Sequence, residues 1–91
     1  MTKAEIVTKI TEETGIEKSN TQRVVEAFME IVKNSVKSGE PVYLRGFGSF
    51  IKKTRKQKVG RNIKKETPIV IPEHDIPAFK PAKTFVNEMK K

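Results

Sequence analysis

The sequence contains no cysteine and no tryptophan, and His74 is its single histidine. Without cysteine the chain can form neither a disulfide nor a thiolate metal site. No apolar run approaches the roughly 18–20 residues that span a bilayer, and no glycine-rich loop precedes Lys-Ser or Lys-Thr. These absences predict a protein that is not an enzyme, with no cofactor, no metal, no membrane contact and no small-molecule substrate. We expect it to be cytoplasmic.

Positive charge is concentrated in the second half of the 91-residue chain. Residues 1–44 carry six Lys or Arg and seven Glu, a net charge of −1, whereas residues 45–91 carry thirteen Lys or Arg and four acids, a net charge of +9. Residues 52–65 alone hold eight Lys or Arg and no acid. A charge confined to one segment indicates a face that binds a polyanion, and nucleic acid is the expected partner.

The first forty residues predict two helices. Residues 2–5 fit a capping box at a helix start, and Gly15 suits the residue that ends this helix. Ser19 is the expected N-cap of a second helix, which Gly39 ends. The second helix carries two adjacent apolar stripes, a surface wider than one packing contact needs. In so short a chain this surface predicts a helix that is shared with a second subunit.

After residue 41 the apolar period changes from 3.6 to about 2, which indicates strands. Two strands are expected to meet at Arg45 and Gly46, and residues 67–72 resemble a returning edge strand. The segment 52–75 would then be a long hairpin. Pro81 is expected at the first position of a short final helix.

The predicted fold class is α+β within a single domain, residues 1–91. Helices are expected in 1–40, a sheet in 41–80 with an arm at about 52–75, and a helix in 81–91. The pair His74-Asp75 could be imagined as a base with its orienting acid, but it lies in the ribbon beside Pro72, and we interpret both residues as solvated.

Four segments together resemble the HU/IHF family of bacterial DNA-bending proteins. They are Met1-x-Lys3, Gly46-Phe47-Gly48-Ser49-Phe50, Gly60-Arg61-Asn62, and Pro77-Ala78-Phe79-Lys80-Pro81-x-Lys83. The resemblance implies an intertwined dimer with a helical base, a small antiparallel sheet saddle and two protruding β-ribbon arms that wrap DNA in its minor groove. It also implies that Phe47, Phe50 and Phe79 fill the dimer core. We expect Phe28, on the wide apolar surface of the second helix, to belong to this core as well.

The family pattern implies a set of DNA-binding residues. On the arm these are Lys53, Arg55, Lys58, Arg61, Asn62, Ile63 and Lys64, and on the body they are Lys3, Gly46, Gly48, Lys80 and Lys83. Arg and Asn are residue types that read the minor groove and its width. Glycines at 46 and 48 leave the backbone bare, so that another molecule can approach it closely.

The arm tip departs from the family pattern at two positions. Ile63 stands where the family usually has a proline that wedges between base pairs, and isoleucine is also an apolar wedge used by minor-groove benders. Isoleucine lacks the fixed φ of proline, however. Glu66 stands where the family commonly has glycine, which leaves the geometry of the tip and the bend angle open.

The sequence therefore predicts an architectural, histone-like protein that binds duplex DNA with low sequence specificity, bends it and helps to organise the nucleoid. A homodimer is the simplest assembly, and a site-specific IHF-like heterodimer with a paralogue stays open. An RNA-binding or ribosome-associated protein is the main rival, since basic arms also bind RNA. A module with this fold that does not bend DNA is a third possibility.

Overall fold

The computed structural model describes residues 1–61 and 68–90, with the backbone alone at 58–61 and 68–70. The chain forms two compact units, Met1–Asn34 and Ser35–Lys91. The elements in chain order are α1 (Lys3–Thr14), α2 (Lys18–Lys37), β1 (Val42–Leu44), β2 (Gly48–Arg55), β3 (Lys58–Arg61), β4 (Pro68–Ile71), β5 (His74–Pro81) and α3 (Lys83–Glu88).

Helix α1 begins and ends as its sequence predicts. The hydroxyl of Thr2 accepts the backbone N–H of Glu5 at 3.3 Å, which satisfies one of the free donors at the helix start. At the other end Gly15 has φ of 76° and donates its N–H to the carbonyl of Thr11 at 2.9 Å. Glycine tolerates this left-handed conformation, so the two capping predictions are confirmed.

The predicted N-cap of α2 is wrong, because the helix begins at Lys18 and includes Ser19. The hydroxyl of Ser19 donates to the carboxylate of Glu17 at 3.1 Å instead of accepting a backbone N–H. The predicted end is confirmed. Gly39 has φ of 90° and donates to the carbonyl of Val36, while the next N–H reaches the carbonyl of Ser35. This pair of bonds is the Schellman motif.

The apolar surface of α2 is largely uncovered in the single chain. Val7 on α1 is buried at 2% exposure, and the buried hydroxyl of Thr21 accepts a hydrogen bond from Thr11 at 3.2 Å. By contrast Phe28 is 45% exposed and Ile31 is 68% exposed. Large apolar side chains left in water are unfavourable, so this face has the character of a contact surface.

The second unit is built on an antiparallel sheet with strand order β1-β2-β5. β2 pairs with β5 over eight residue pairs, from Gly48 with Pro81 to Arg55 with His74. The hairpin between β1 and β2 turns at Gly46, which has φ of 81°. The segment 41–80 was expected to form a sheet, but no separate strand was predicted near its end, where His74–Pro81 form the long strand β5.

One face of this sheet carries a cluster of phenylalanines. The ring centroids of Phe50 and Phe79 lie 5.0 Å apart, those of Phe47 and Phe79 lie 5.1 Å apart, and Phe47 stacks on Phe85 at 5.8 Å. These separations are typical of favourable aromatic pairs. Three of the four predicted core phenylalanines therefore come together, with Phe85 as a fourth member. Phe28 belongs to the first unit.

The predicted ribbon is present in the described residues. β3 pairs with β4 in a two-stranded ladder, from Lys58 with Ile71 to Arg61 with Pro68. This ladder continues the register of β2 and β5. Arg55 pairs with His74, and three residues further along each leg Lys58 pairs with Ile71. The interruption between the ladders coincides with Pro72, which has no N–H to donate.

The final helix begins later than predicted. Pro81 is the last residue of β5, and α3 begins at Lys83 with Ala82 at the N-cap. The backbone explains the shift, since the N–H of Ala82 donates to the carbonyl of Phe47 at 2.9 Å and this bond ties the chain to the β1–β2 turn. Among the described residues, no helix combines the length and the apolarity needed to cross a membrane.

We predict that Gly48→Ala destabilises the fold. A Cβ at Gly48 would lie 2.6 Å from the ring of Phe79 and 2.6 Å from the carbonyl oxygen of Lys80. Overpacking of this kind costs about 1–3 kcal/mol, which urea unfolding would measure. The control is Gly46→Asn, because a Cβ there meets nothing within 4 Å and asparagine tolerates positive φ. An unfolding midpoint of Gly48→Ala equal to that of the wild type would contradict the packing argument.

Candidate nucleic-acid interface

Alternation along the paired strands separates the sheet of the second unit into two faces. Successive side chains of a strand point to opposite faces, and register partners share a face. The phenylalanines Phe50 and Phe79 are partners on one face. We call the other one the open face. Its rows, from the sheet toward the ribbon, are Tyr43–Ser49–Lys80, Ile51–Ala78, Lys53–Ile76 and Arg55–His74.

Three predicted DNA-binding cations lie on the open face. Lys53, Arg55 and Lys80 are all exposed and share this face through the register of β2 and β5. Lys83 joins them, because it lines, together with Lys80 and Arg45, an open concavity of about 610 Å³. Among the described residues that line this concavity, none is acidic. The structure therefore brings four predicted cations, together with Arg45, to one side of the sheet.

The acid on β5 is held on the opposite face. Thr54 and Asp75 are register partners, and the hydroxyl of Thr54 donates to the carboxylate of Asp75 at 2.8 Å. The ammonium of Lys52 lies 3.5 Å from the other carboxylate oxygen. The hydrogen bond from Thr54, with the charge of Lys52, lowers the pKa of Asp75 below its usual value. Its negative charge is thus paired with Lys52 and turned away from Lys53 and Arg55.

His74 and Asp75 do not form an acid–base pair. They are neighbours on β5, so their side chains point to opposite faces. The Nδ1 of His74 lies 2.9 Å from the carbonyl oxygen of Pro72, to which it donates a hydrogen bond. Both residues are exposed, as expected, although they lie in a strand. Among the residues that the structure describes, no three His, Cys, Asp or Glu side chains come together.

Lys3 is already paired within the chain. Its ammonium lies 2.8 Å from the carboxylate of Glu26 on α2, and both side chains are about half exposed, at 49% and 45%. Hydrogen bonds from Lys3 and Gln22 lower the pKa of Glu26. Contact of Lys3 with DNA stays a prediction, and it would require Lys3 to exchange this carboxylate for a phosphate.

The two glycines of the predicted site have different surroundings. Gly46 is exposed at the hairpin turn, where the open concavity includes it. Gly48 is buried, and the ring of Phe79 occupies the space where a side chain would be. Packing is therefore sufficient reason for glycine at position 48.

The remaining predicted residues lie at or beyond the end of the described ribbon. Lys58 and Arg61 are the first and last residues of β3, of which the backbone is described. Asn62, Ile63, Lys64 and Glu66 lie outside the described residues.

Sequence reasoning missed two residues of the open concavity, Tyr43 and Arg45. Tyr43 is the register partner of Ser49, which is in turn the partner of Lys80. The period-two pattern that groups Lys53 with Arg55 extends back along β2 to Ser49. The register of β1 against β2 is the further information that places Tyr43 in the same row.

We predict that Thr54→Val raises the pKa of Asp75, because it removes the hydrogen bond that contributes most to lowering it. The carboxyl ¹³C resonance of Asp75, followed by NMR below about pH 5, measures this change. A lowered pKa in the folded state stabilises the fold above the unfolded pKa, and the effect is lost as pH falls through the folded value. Thr8→Val, which removes a hydroxyl bonded to the carbonyl of Ala4, is the control. An unchanged titration midpoint in Thr54→Val would contradict the assignment.

Comparison with known proteins agrees with this geometry. The family model described as bacterial DNA-binding protein matches residues 1–90. The SPbeta prophage-derived DNA-binding protein HU 2 of Bacillus subtilis (strain 168) is 37% identical over 90 residues, which cover 99% of this chain and 98% of the relative. Integration host factor subunit alpha of Anaeromyxobacter sp. (strain Fw109-5) is 32% identical over 89 residues, which cover 98% of this chain and 90% of the relative.

A solved structure supports the same conclusion. The Anabaena HU–DNA cocrystal structure matches with a TM-score of 0.92 and 36% identity, over 98% of this chain and 97% of that one. This likeness confirms the predicted α+β fold and the resemblance drawn from the sequence motifs. The chain belongs to the bacterial DNA-binding protein family of HU and integration host factor, whose members are architectural proteins rather than enzymes.

Proposed function

We propose that this chain forms a homodimer that binds duplex DNA through the minor groove with low sequence specificity, bends it and helps to compact the nucleoid. The observation that carries the proposal is the open face. Lys53, Arg55 and Lys80 share it, while the carboxylate of Asp75 is paired on the other face. Such a one-sided array of cations suits a polyanion that lies along the sheet and the ribbon.

The number of phosphate contacts determines how strongly the DNA affinity depends on salt. Each phosphate that a Lys or Arg neutralises releases condensed counterions, so affinity falls steeply with salt. Two copies of the three open-face cations supply six contacts, and six to ten contacts lose about 10³–10⁵ in affinity between 50 and 200 mM salt. The minor groove presents a degenerate hydrogen-bond pattern, which is the reason for low sequence specificity.

The uncovered apolar side chains support a dimer. Phe28 and Ile31 on α2 are 45% and 68% exposed, and Phe47 and Phe79 in the aromatic cluster are 46% and 40% exposed. The hydrophobic side chains buried in the described residues are three valines: Val7, Val32 and Val36. So small a core is marginal for a domain of this length, and a second copy would remove the exposed apolar surface from water.

A heterodimer with a paralogue is the second candidate, since one relative is named a subunit of integration host factor. The assembly state of the purified chain separates the two candidates. A chain that forms dimers alone favours the homodimer, whereas a chain that dimerises only on addition of a paralogue favours the heterodimer.

Bending is proposed from the sequence of the arm tip. Ile63 is an apolar residue between Asn62 and Lys64, and apolar wedges of minor-groove binders unstack base steps and kink the duplex. Smooth bending of a site costs on the order of 1–6 kcal/mol. Additional phosphate contacts on both flanks of the sheet would offset this cost.

The test of the proposal is a binding series with a duplex of about 35 base pairs that carries a fluorescent donor and acceptor at its two ends. Affinity and end-to-end energy transfer are read together across salt concentrations, with an RNA duplex as competitor. We expect steep salt dependence and increased energy transfer on binding. Binding without increased energy transfer would contradict the proposed bending. Stronger competition by RNA than by DNA would favour the RNA-binding alternative.

We predict that the double variant Lys53→Ala, Arg55→Ala weakens DNA binding and reduces the slope of log affinity against log salt. Each lost phosphate contact reduces that slope by about 1, so the expected reduction is about 2 per chain. The control is Lys33→Ala. The side chain of Lys33 is 68% exposed on α2, so this variant removes a positive charge of similar accessibility away from the sheet. Equal slopes for the double variant and the control would remove these two residues from the interface.

We predict that Ile63→Ala keeps much of the affinity but reduces the bend, because the wedge is lost while the cations stay. End-to-end energy transfer at saturating protein measures the bend. The matched control is Val59→Ala, which truncates another aliphatic residue of the same arm. If Ile63→Ala and the wild type produce the same energy transfer, the prediction that Ile63 acts as the wedge is wrong.

We predict that Ile31→Asp disrupts the dimer, because dimerisation would place an unpaired carboxylate in an apolar contact. The control is Lys33→Asp, which introduces the same acid two residues away at an equally exposed position. Sedimentation equilibrium should show a dimer for the wild type and for the control. A dimer of undiminished stability in Ile31→Asp would show that this face of α2 is not the contact.

A further inference from the structure

Tyr43 is an aromatic residue with unusual surroundings. It is the only tyrosine of the chain, and it is 74% exposed. Phe50 and Phe79 pack together on the opposite face of the same sheet. Tyr43 therefore contributes little to the aromatic cluster, and packing within the chain does not explain an aromatic ring at this position.

Tyr43 shares its row of the sheet and the concavity that it lines with three cations. It occupies one cross-strand row with Ser49 and Lys80, in which neighbouring strands lie about 4.8 Å apart, so that the backbones of residues 43 and 80 are about 10 Å apart. Arg45 and Lys83 line the same concavity of about 610 Å³. The concavity thus combines one aromatic ring, one hydroxyl-bearing serine and three cations.

The positive charge of this concavity favours a negatively charged ligand. A second copy of the chain, with a net charge of +8, would on balance bring more positive charge to it. A polyanion is complementary to the three cations. Tyrosine suits the backbone of a nucleic acid, because its ring offers an apolar surface to a sugar and its hydroxyl can donate to a phosphate oxygen.

We propose that Tyr43 is a DNA-contacting residue, which rests on the proposed DNA-binding function and adds an uncharged contact at the centre of the sheet. Its ring packs against a deoxyribose, and its hydroxyl donates to a phosphate oxygen. Arg45 and Lys80 neutralise phosphates on either side. The open face then holds DNA by two kinds of contact, a salt-dependent one from the cations and a salt-independent one from Tyr43.

The single tyrosine makes the contact directly observable. Protein produced with 3-fluorotyrosine carries one fluorinated residue, and duplex DNA contains no fluorine, so the ¹⁹F spectrum reports Tyr43 alone. We expect its resonance to move on addition of the duplex and to stop moving at the stoichiometric ratio. Without DNA the resonance should be independent of protein concentration above the dimerisation range.

Substitutions separate the ring, the hydroxyl and the charge. Tyr43→Thr keeps a residue that favours strands and should lower affinity about tenfold, which corresponds to about 1.4 kcal/mol. Tyr43→Phe, which loses the hydroxyl alone, should lie between this variant and the wild type. Both should keep the salt slope of the wild type, whereas Arg45→Ala should reduce it by about 1 per chain. Thermal unfolding of each variant confirms that the sheet is intact.

The outcomes distinguish this inference from the proposed function. If the labelled protein does not bind the end-labelled duplex at all, the proposed function fails. If it binds while the ¹⁹F resonance stays in place and Tyr43→Thr binds within about twofold of the wild type, the contact of Tyr43 is wrong and the proposed function stands. A resonance that moves with protein concentration above the dimerisation range, without DNA, would show that a further copy covers Tyr43, which also overturns the inference.

Discussion

The pairing of β2 with β5 is the interaction on which the rest of the second unit depends. Its register fixes which side chains share a face over eight residue pairs, because side chains alternate along each strand. A shift of one residue would move Lys53 and Arg55 to the side of the phenylalanines. Gly48 helps to hold the register, since the ring of Phe79 lies against it where a side chain would otherwise be.

The same pairing explains how an acidic residue is accommodated within a basic ribbon. Asp75 is a neighbour of His74 in sequence but points to the opposite face, where Thr54 and Lys52 bind its carboxylate. The carboxylate of Asp75, the acidic residue of β5, is therefore not available to pair with Lys53 or Arg55 on the open face. Lys3 is a contrast, because its ammonium already binds Glu26 and would have to leave this partner in order to contact a phosphate.

Local signals in the sequence were sufficient for most helix ends. Thr2, Gly15 and Gly39 act as predicted because caps depend on a few adjacent residues. Ser19 and Pro81 were misplaced by a residue or two, since competing contacts with Glu17 and with the β1–β2 turn decide where each helix begins. Helix boundaries are the part of a fold that propensity determines least.

Long-range pairing was harder to predict than local structure. Strand β5 was not predicted as a separate strand of the expected sheet because its prolines, Pro77 and Pro81, weaken a strand signal, and its formation depends on a partner about twenty or more residues away. Of the candidate site, Lys53, Arg55, Lys80 and Lys83 come to one side of the sheet. Tyr43 was missed because the register of β1 against β2, which groups it with Lys80, does not follow from composition.

DNA bound on the open face can be detected directly, because the neighbours Lys52 and Lys53 point to opposite faces of the sheet. Reductive methylation of the lysines, with and without saturating duplex, would be read by tandem mass spectrometry as the ratio of modification for each residue. We predict that DNA protects Lys53 and Lys80 while the ratio for Lys52 stays near one. Equal protection of Lys52 and Lys53, or protection of Lys52 alone, would contradict the assignment of the open face.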